Sequence, residues 1–226
     1  MLTTGSILVL LSSVWSSLIH ADEQLLLAIN GAHTPFLDNF LWNISVPATW
    51  IPLYVVLLLC IVRRYGKQSL WIMLAFAVCV GLSDYISSGI LKNIVCRPRP
   101  THSEPLEGLL HIVNNYHGGL YGFVSSHAAN TICCTLLFSL VWRDTISSIS
   151  LGVWTLLVCW SRMYLGAHYP ADIIGGLLVG TILALLGYFC LTKKKGIFVE
   201  RSAYSRVYDW LPCMTLVITY VVCGLA

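Results

Sequence analysis

Charge is what this chain has least of. Only 10% of its 226 residues are Asp, Glu, Lys or Arg, against about 25% in soluble domains. Hydrophobic residues make up 57% of the chain and the mean hydropathy is +0.78, which excludes an ordinary water-facing surface and implies a polytopic membrane protein. The formal charge of +3 is too small for a nucleic-acid surface. No internal repeat, low-complexity tract or long linker appears, so one domain over residues 1–226 is expected. The nine cysteines include no CxxC pair and no His/Cys spacing of zinc type. Cys60, Cys79, Cys133, Cys134, Cys159, Cys190 and Cys223 fall in apolar runs, where cysteine serves as a small buried apolar residue. Only Cys96 lies in a polar loop. Nothing here calls for a metal or a cofactor.

What is present is apolar runs of bilayer length. A helix of roughly 20 apolar residues crosses a bilayer, and close-packed bundles accept somewhat shorter ones. Spans are predicted near residues 7–19, 45–62, 69–91, 127–142, 146–163, 172–191 and 208–226. The first is short and could be a signal peptide, but SSLIHADEQ lacks a clean small-x-small cleavage site, so a retained helix is expected. Residues 23–30 read as an amphipathic helix followed by a turn at the membrane interface. The last run holds Asp209 and Pro212 and is the other open span. The fold class is therefore all-α, a membrane helical bundle of six core helices with a possible seventh at the C-terminus.

The basic residues divide by side. Arg63, Arg64, Lys67, Arg143, Lys193, Lys194, Lys195, Arg201 and Arg206 fall on one side, which the positive-inside bias makes cytoplasmic. Lys92, Arg97, Arg99 and Arg162 fall on the other. Those four sit where the bias would exclude them, so a local task is expected of them.

Three outer segments gather the polar groups: KNIVCRPRP from Lys92, FVSSHAAN from Phe123, and SRMYLGAHYPAD from Ser161. Lys92, Arg99 and Arg162 make a cationic cluster with no acidic cluster to match it. Guanidinium forks fit phosphate oxygens at two points and lysine adds a compact charge. Ser125, Ser126 and His127 open a helix, where free N–H groups and the helix dipole favour an anion. Together these residues describe a phosphoryl socket. For Arg97 two readings stay open, a part in that socket or a lipid-headgroup anchor.

His168 and Asp172 are one helical turn apart, with Pro170 suited to the first helical position. A carboxylate there can hold one imidazole nitrogen and leave the other free to act. His168 would then attack phosphorus and form a phosphohistidine. His127, protonated, would donate to the leaving oxygen and later help water reach phosphorus. The cations would stabilise the transition-state charge, doing the work a metal does elsewhere. Asp84, Ser88 and Lys92 repeat at i, i+4, i+8 and so share a helix face. Asp84 has two readings, orienting Lys92 or satisfying a neighbouring helix, and the structural one is favoured. His102, His111 and His117 in the long outer loop are expected to be solvated. Glu104 and Glu107 there could shape entry, and Gly118, Gly119 and Gly122 give the loop freedom.

These segments resemble the three ordered signatures of the type-2 phosphatidic acid phosphatase family. Lys92 to Arg99–Pro100 fits K-x6-R-P, VSSH stands in the place of P-S-G-H, and Ser161–Arg162 to His168 and Asp172 fits S-R-x5-H-x3-D. The match runs over about residues 84–176, within a core catalytic region of about 84–192. The resemblance implies a membrane enzyme hydrolysing lipid phosphate esters, with Lys92, Arg99, Ser125, Ser126 and Arg162 holding phosphate and His127, His168 and Asp172 doing chemistry. Val124 and Ser126 depart from the usual proline and glycine. VSSHAAN and GLSDYISSGILK look like a bacterial branch. That implies a substrate among envelope lipids, undecaprenyl diphosphate or lipid A phosphate first, then phosphatidylglycerol phosphate and phosphatidic acid. It also implies a bacterial inner membrane with the site facing the periplasm. A lipid phosphotransferase would use the same histidine, and a non-catalytic binder or transporter would not need it. Vanadium haloperoxidases share the anion socket but are soluble. The bilayer and the lipid phosphate are the partners implied; nothing speaks to oligomeric state.

Overall fold

A glycine hairpin, a set of prolines and a run of small residues shape the bundle. In the computed structural model, residues 4–194 and 206–225 are described. Among them the chain is helical with no β-strand: α1 (Thr4–Gly31), α2 (Pro35–Ser45), α3 (Ile51–Tyr65), α4 (Ser69–Asp84), α5 (Lys92–Val95), α6 (Ser126–Trp142), α7 (Thr145–Tyr164), α8 (Pro170–Thr192) and α9 (Leu211–Leu225). Four stretches are long and apolar enough to cross a membrane: Pro47–Val95, Thr145–Tyr164, Pro170–Thr192 and Val207–Leu225. The first of these folds into the α3–α4 hairpin at Gly66, whose φ of 55° suits a residue without a Cβ. Between α4 and α5, Tyr85–Leu91 is π-helical. A π turn has more residues per turn than an α-helix, and Asp84 still lies near enough to Lys92 to act on its charge.

The N-terminal region differs from its sequence reading. The first hydrophobic segment and the amphipathic segment are one unbroken helix, α1, because nothing between Ile19 and Glu23 breaks a helix. Residues 11–20 are exposed, while Leu26 and Asn30 near its far end are buried. The stretch read as a turn is α2. Thr34 caps it, its hydroxyl accepting from the Leu37 N–H at 3.2 Å, and Pro35 opens it. The span read over residues 45–62 is interrupted after Ser45, since Pro47 disfavours helix at Val46. The C-terminal helix α9 contributes Leu216 and Cys223 to the main core beside Trp50, Phe138 and Trp154.

The position of the site depends on how closely α6 and α8 approach. A Cβ on Gly176 would collide with the Ser125 carbonyl oxygen, and one on Gly180 with that of Ala129. Small residues four apart let two helix backbones meet where no larger side chain would allow it. The contact is sealed at its outer end by the Ser125 N–H, which donates to the Asp172 carbonyl at 3.0 Å. At the opposite end α7 is capped by Asp144, whose carboxylate accepts from the Ser147 N–H at 2.7 Å, a contact worth about 1 kcal/mol.

Basic residues collect at that opposite end. Arg64 donates to the Trp142 carbonyl, Arg143 to the Tyr188 hydroxyl at 2.8 Å, and Lys194 lies 3.3 Å over the Trp71 ring. Lys195 and Arg201 lie outside the described residues. The nine cysteines are free thiols; Cys190 is exposed on α8 rather than buried.

Candidate active site

The outer ends of α5, α6, α7 and α8 surround the loop from Cys96 to Val124. This loop is pinned at its base by the Arg99 N–H to the Leu120 carbonyl and the Gly122 N–H to the Arg97 carbonyl, both 2.9 Å. Cys96 ends α5 in the left-handed region, φ 50°, just ahead of Pro98. The hairpin carries Arg99 inward, where it is buried and its Nε donates to the Tyr121 carbonyl at 3.2 Å. Glycine is needed beside it. A Cβ on Gly118, which has φ +68°, would stand 2.8 Å from Arg99 Nη1, and one on Gly122 2.9 Å from Asp172 Oδ2. Crowding around two site residues, more than loop freedom, explains both glycines.

Arg162 comes from the last turn of α7 and is 3% exposed. Its two Nη atoms are held, one by the Ser45 hydroxyl and the other by the Tyr116 hydroxyl at 2.8 Å. Burial alone would raise the Tyr116 phenol, but Arg162 and Arg99 beside it bring it below its ordinary value. Arg162 Nε and Arg99 Nη1 are buried donors with no hydrogen-bond partner among the described residues. Buried guanidinium N–H groups without acceptors are costly, so both point to an anion as the natural occupant of this place.

The His168 loop is tied back to α7, with the Ala167 and His168 N–H groups donating to the Arg162 carbonyl at 3.0 and 3.2 Å. His168 is 1% exposed. Its Nδ1 stands 3.5 Å from Asp172 Oδ2. Burial first, then the charges of Arg162, Arg99 and Lys92, hold its pKa well below 6.5. The ring is therefore neutral at physiological pH. Histidine NMR of the purified protein in phosphate-free detergent should show it still neutral at pH 6. A midpoint at or above 6.5 would contradict this environment.

Asp172, fully buried at the third position of α8, accepts from the Tyr169 N–H at 3.0 Å. His127 stands among Arg162, His168, Lys92 and Arg99, near enough for each to act on it electrostatically. Ser125 is the N-cap of α6 and its hydroxyl faces the Ala128 N–H at 3.4 Å. Ser126 and His127 follow in the first turn, whose N–H groups have no acceptor within the helix. Lys92, Arg99, Ser125, Ser126, His127, Arg162, His168 and Asp172 thus come from four helices and two loops to one end of the bundle. Among the described residues, no group of three His, Cys, Asp or Glu side chains is placed to hold a metal.

The family model for the PAP2 superfamily matches residues 69–195. This chain belongs to the PAP2 superfamily. It is 34% identical over 174 residues to a lipid A 4'-phosphatase of Bacteroides thetaiotaomicron, covering 76% of this chain and 77% of that protein. It is 31% identical to a putative undecaprenyl-diphosphatase of Escherichia coli, covering 76% and 83%. The crystal structure of a transmembrane PAP2 type phosphatidylglycerolphosphate phosphatase from Bacillus subtilis superposes with a TM-score of 0.60 at 24% identity, covering 80% of this chain and 89% of that one. That likeness confirms an all-helical membrane fold.

In this PAP2 chain several neighbours of the site escaped the sequence reading. Ser45 and Tyr116, which hold Arg162, lie 117 and 46 residues from it, and no local pattern marks them. Arg97 is paired with two carboxylates. Its Nη1 donates to Asp172 Oδ1 at 3.0 Å and its Nη2 to Asp22 Oδ2 at 2.7 Å. His111 is half-buried rather than solvated, because Asp38 and His33 draw it inward. Its Nε2 lies 2.9 Å from Asp38 Oδ1, and its ring stacks on His33 with centroids 3.8 Å apart. His102 and His117 are exposed. Asp84 is exposed on α4 and accepts from Asn130 of α6 at 3.1 Å, a bond between helices.

Proposed function

We propose that this chain is a lipid phosphatase that cleaves the phosphate of an envelope lipid through a phosphohistidine on His168. The observation that carries the reading is the pair of buried, unpartnered guanidinium donors, Arg99 Nη1 and Arg162 Nε, beside a neutral buried imidazole backed by a carboxylate. Arg99, Arg162 and Lys92, with the N–H groups of Ser126 and His127 and the Ser125 hydroxyl, hold the phosphoryl oxygens. Asp172 faces Nδ1, which leaves Nε2 of His168 to attack.

In the first step an Nε2–P bond forms and the P–O bond to the lipid breaks. His127 gives its proton to the departing lipid oxygen; the phosphate's own negative charge favours the protonated ring before transfer. In the second step His127, now neutral, takes a proton from water as the water oxygen attacks phosphorus. The N–P bond breaks and inorganic phosphate leaves. The three cations supply the charge stabilisation in both transition states, and no metal is called for. Residues about 84–192 form the catalytic region, and the hydrophobic segment of about 208–226, which carries α9, belongs to the same domain.

The outer end carrying the site faces the periplasm of a bacterial inner membrane, since the basic residues at the opposite end mark the cytoplasmic side. A lipid phosphate can then keep its chains in the bilayer while its head enters between the helix ends. Lipid A 4'-phosphate and undecaprenyl diphosphate are the leading substrates, supported by the two relatives compared above; phosphatidylglycerol phosphate and phosphatidic acid follow. A panel of these four lipids, assayed for phosphate release in detergent with chelator present, tests the reading. Hydrolysis of lipid A or undecaprenyl diphosphate in chelator is expected. Failure to release phosphate from all four would refute a lipid phosphatase, and transfer only to an added alcohol would make it a phosphotransferase.

A further inference from the structure

Asp172 is a fully buried carboxylate that must hold its angle to aim His168. Its Oδ2 accepts from the Tyr169 N–H at 3.0 Å and stands 3.5 Å from His168 Nδ1, near it but not hydrogen-bonded to it. Its Oδ1 is taken by Arg97. Arg97 is itself fixed on three sides: by Asp172, by Asp22 at 2.7 Å, and by the Tyr169 ring, whose centroid lies 3.8 Å from its guanidinium carbon. Asp22 comes from α1, about 75 residues away from Arg97 in sequence. Its second oxygen accepts from the Ala171 N–H at 2.8 Å. Ala171 is in the first turn of α8, one residue before Asp172. One carboxylate of α1 therefore grips both the cation that touches Asp172 and the helix start that carries it.

We propose that Asp22 and Arg97 are positioning residues of the reaction, a clamp through which α1 sets the orientation of Asp172 and so of His168. This rests on the roles of His168 and Asp172 given above. The charges fit. Arg97 lies between two carboxylates, so it balances Asp172 and adds little to the phosphate socket, which keeps three cations and not four. The geometry fits too. A buried carboxylate with one oxygen anchored to its own helix and the other to a guanidinium cannot rotate, whereas one held only at Oδ2 could turn away from the imidazole. Partners behind a catalytic or ligating group typically matter by about 10–100-fold.

The test uses the full-length protein in detergent with a lipid phosphate as substrate and inorganic phosphate as competitive inhibitor. Arg97→Ala and Asp22→Ala are expected to lower kcat by about 10–100-fold, while the inhibition constant for inorganic phosphate moves less than about threefold, because the socket is intact. Arg97→Lys should recover part of the loss. Asp22→Asn, which keeps an acceptor for Ala171 but loses the charge facing Arg97, should behave as a loss variant. The double variant should lose clearly less than the product of the two single losses, since Asp22 acts in part through Arg97. Additive losses, a phosphate inhibition constant rising in step with the fall in kcat, or wild-type kcat in the single variants would overturn the clamp. His168→Ala in the same assay separates the two ideas. If it is inactive while the clamp variants are normal, only the clamp fails; if it is fully active, the proposed chemistry fails with it.

Discussion

Replacing His168 by alanine is expected to lower kcat by roughly 10⁴-fold or more, the scale on which loss of a covalent nucleophile acts in enzymes that use one. The ring is buried, neutral and beside three cations, so removing it deletes the imidazole positioned against Asp172 without removing the charges proposed to hold phosphate. Inorganic phosphate should therefore still bind. A second readout is direct. Mixing wild-type protein with a lipid labelled in its phosphate and quenching in alkali should leave label on the chain as an acid-labile phosphoramidate, and the alanine protein should carry none. Label on a different residue, or a kcat near wild type, would remove His168 from the role of nucleophile.

Arg162→Ala is the second large effect, a loss of about 10²–10³ in kcat if its Nε stabilises charge developing on the phosphoryl oxygens. The side chain is almost fully buried, and two of its nitrogens are already committed to Ser45 and Tyr116. The remaining Nε–H is thus pre-aimed, at no cost in reorganisation during the reaction. Arg162→Lys keeps a charge but cannot hold both hydroxyls and still present a fixed donor, so it should recover only part of the loss. Tyr116→Phe and Ser45→Ala should each cost less than Arg162→Ala, because each frees one end of the fork. Thermal unfolding of the purified variants distinguishes a lost donor from a damaged fold. Arg162→Ala within tenfold of wild type, with its melting temperature unchanged, would take this arginine out of the transition state.

The charged residues that face a phosphate were legible in the chain because the bilayer makes every such residue conspicuous. Lys92, Arg99 and Arg162 stand out against apolar runs, and the spacing from His168 to Asp172 is one helical turn whatever the rest of the fold. The motifs are short because each comes from one helix end. The groups that hold those residues in place were not legible. Asp22, Ser45 and Tyr116 have no periodicity and no fixed offset from what they bind, and Arg97 could be a fourth socket cation until its two carboxylate partners were known.

The helix boundaries divide in the same way. The apolar run lengths gave the outer helices of the bundle, since crossing hydrocarbon fixes a minimum length. They did not show that residues 4–31 form a single helix, nor that Val46 and Pro47 break the second span, because hydrophobic length by itself does not mark where a helix starts or stops; the proline does so locally.

The chain on its own therefore settled a helical membrane protein with cations, two histidines and an aspartate at one end, since hydrophobic length and charge scarcity act locally along the sequence. Only the tertiary structure decided which glycines let α6 meet α8, which hydroxyls hold Arg162, and that α1 reaches the buried carboxylate. Those are contacts between residues tens to more than a hundred positions apart, and side-chain shape and hydrogen-bond direction in three dimensions select them.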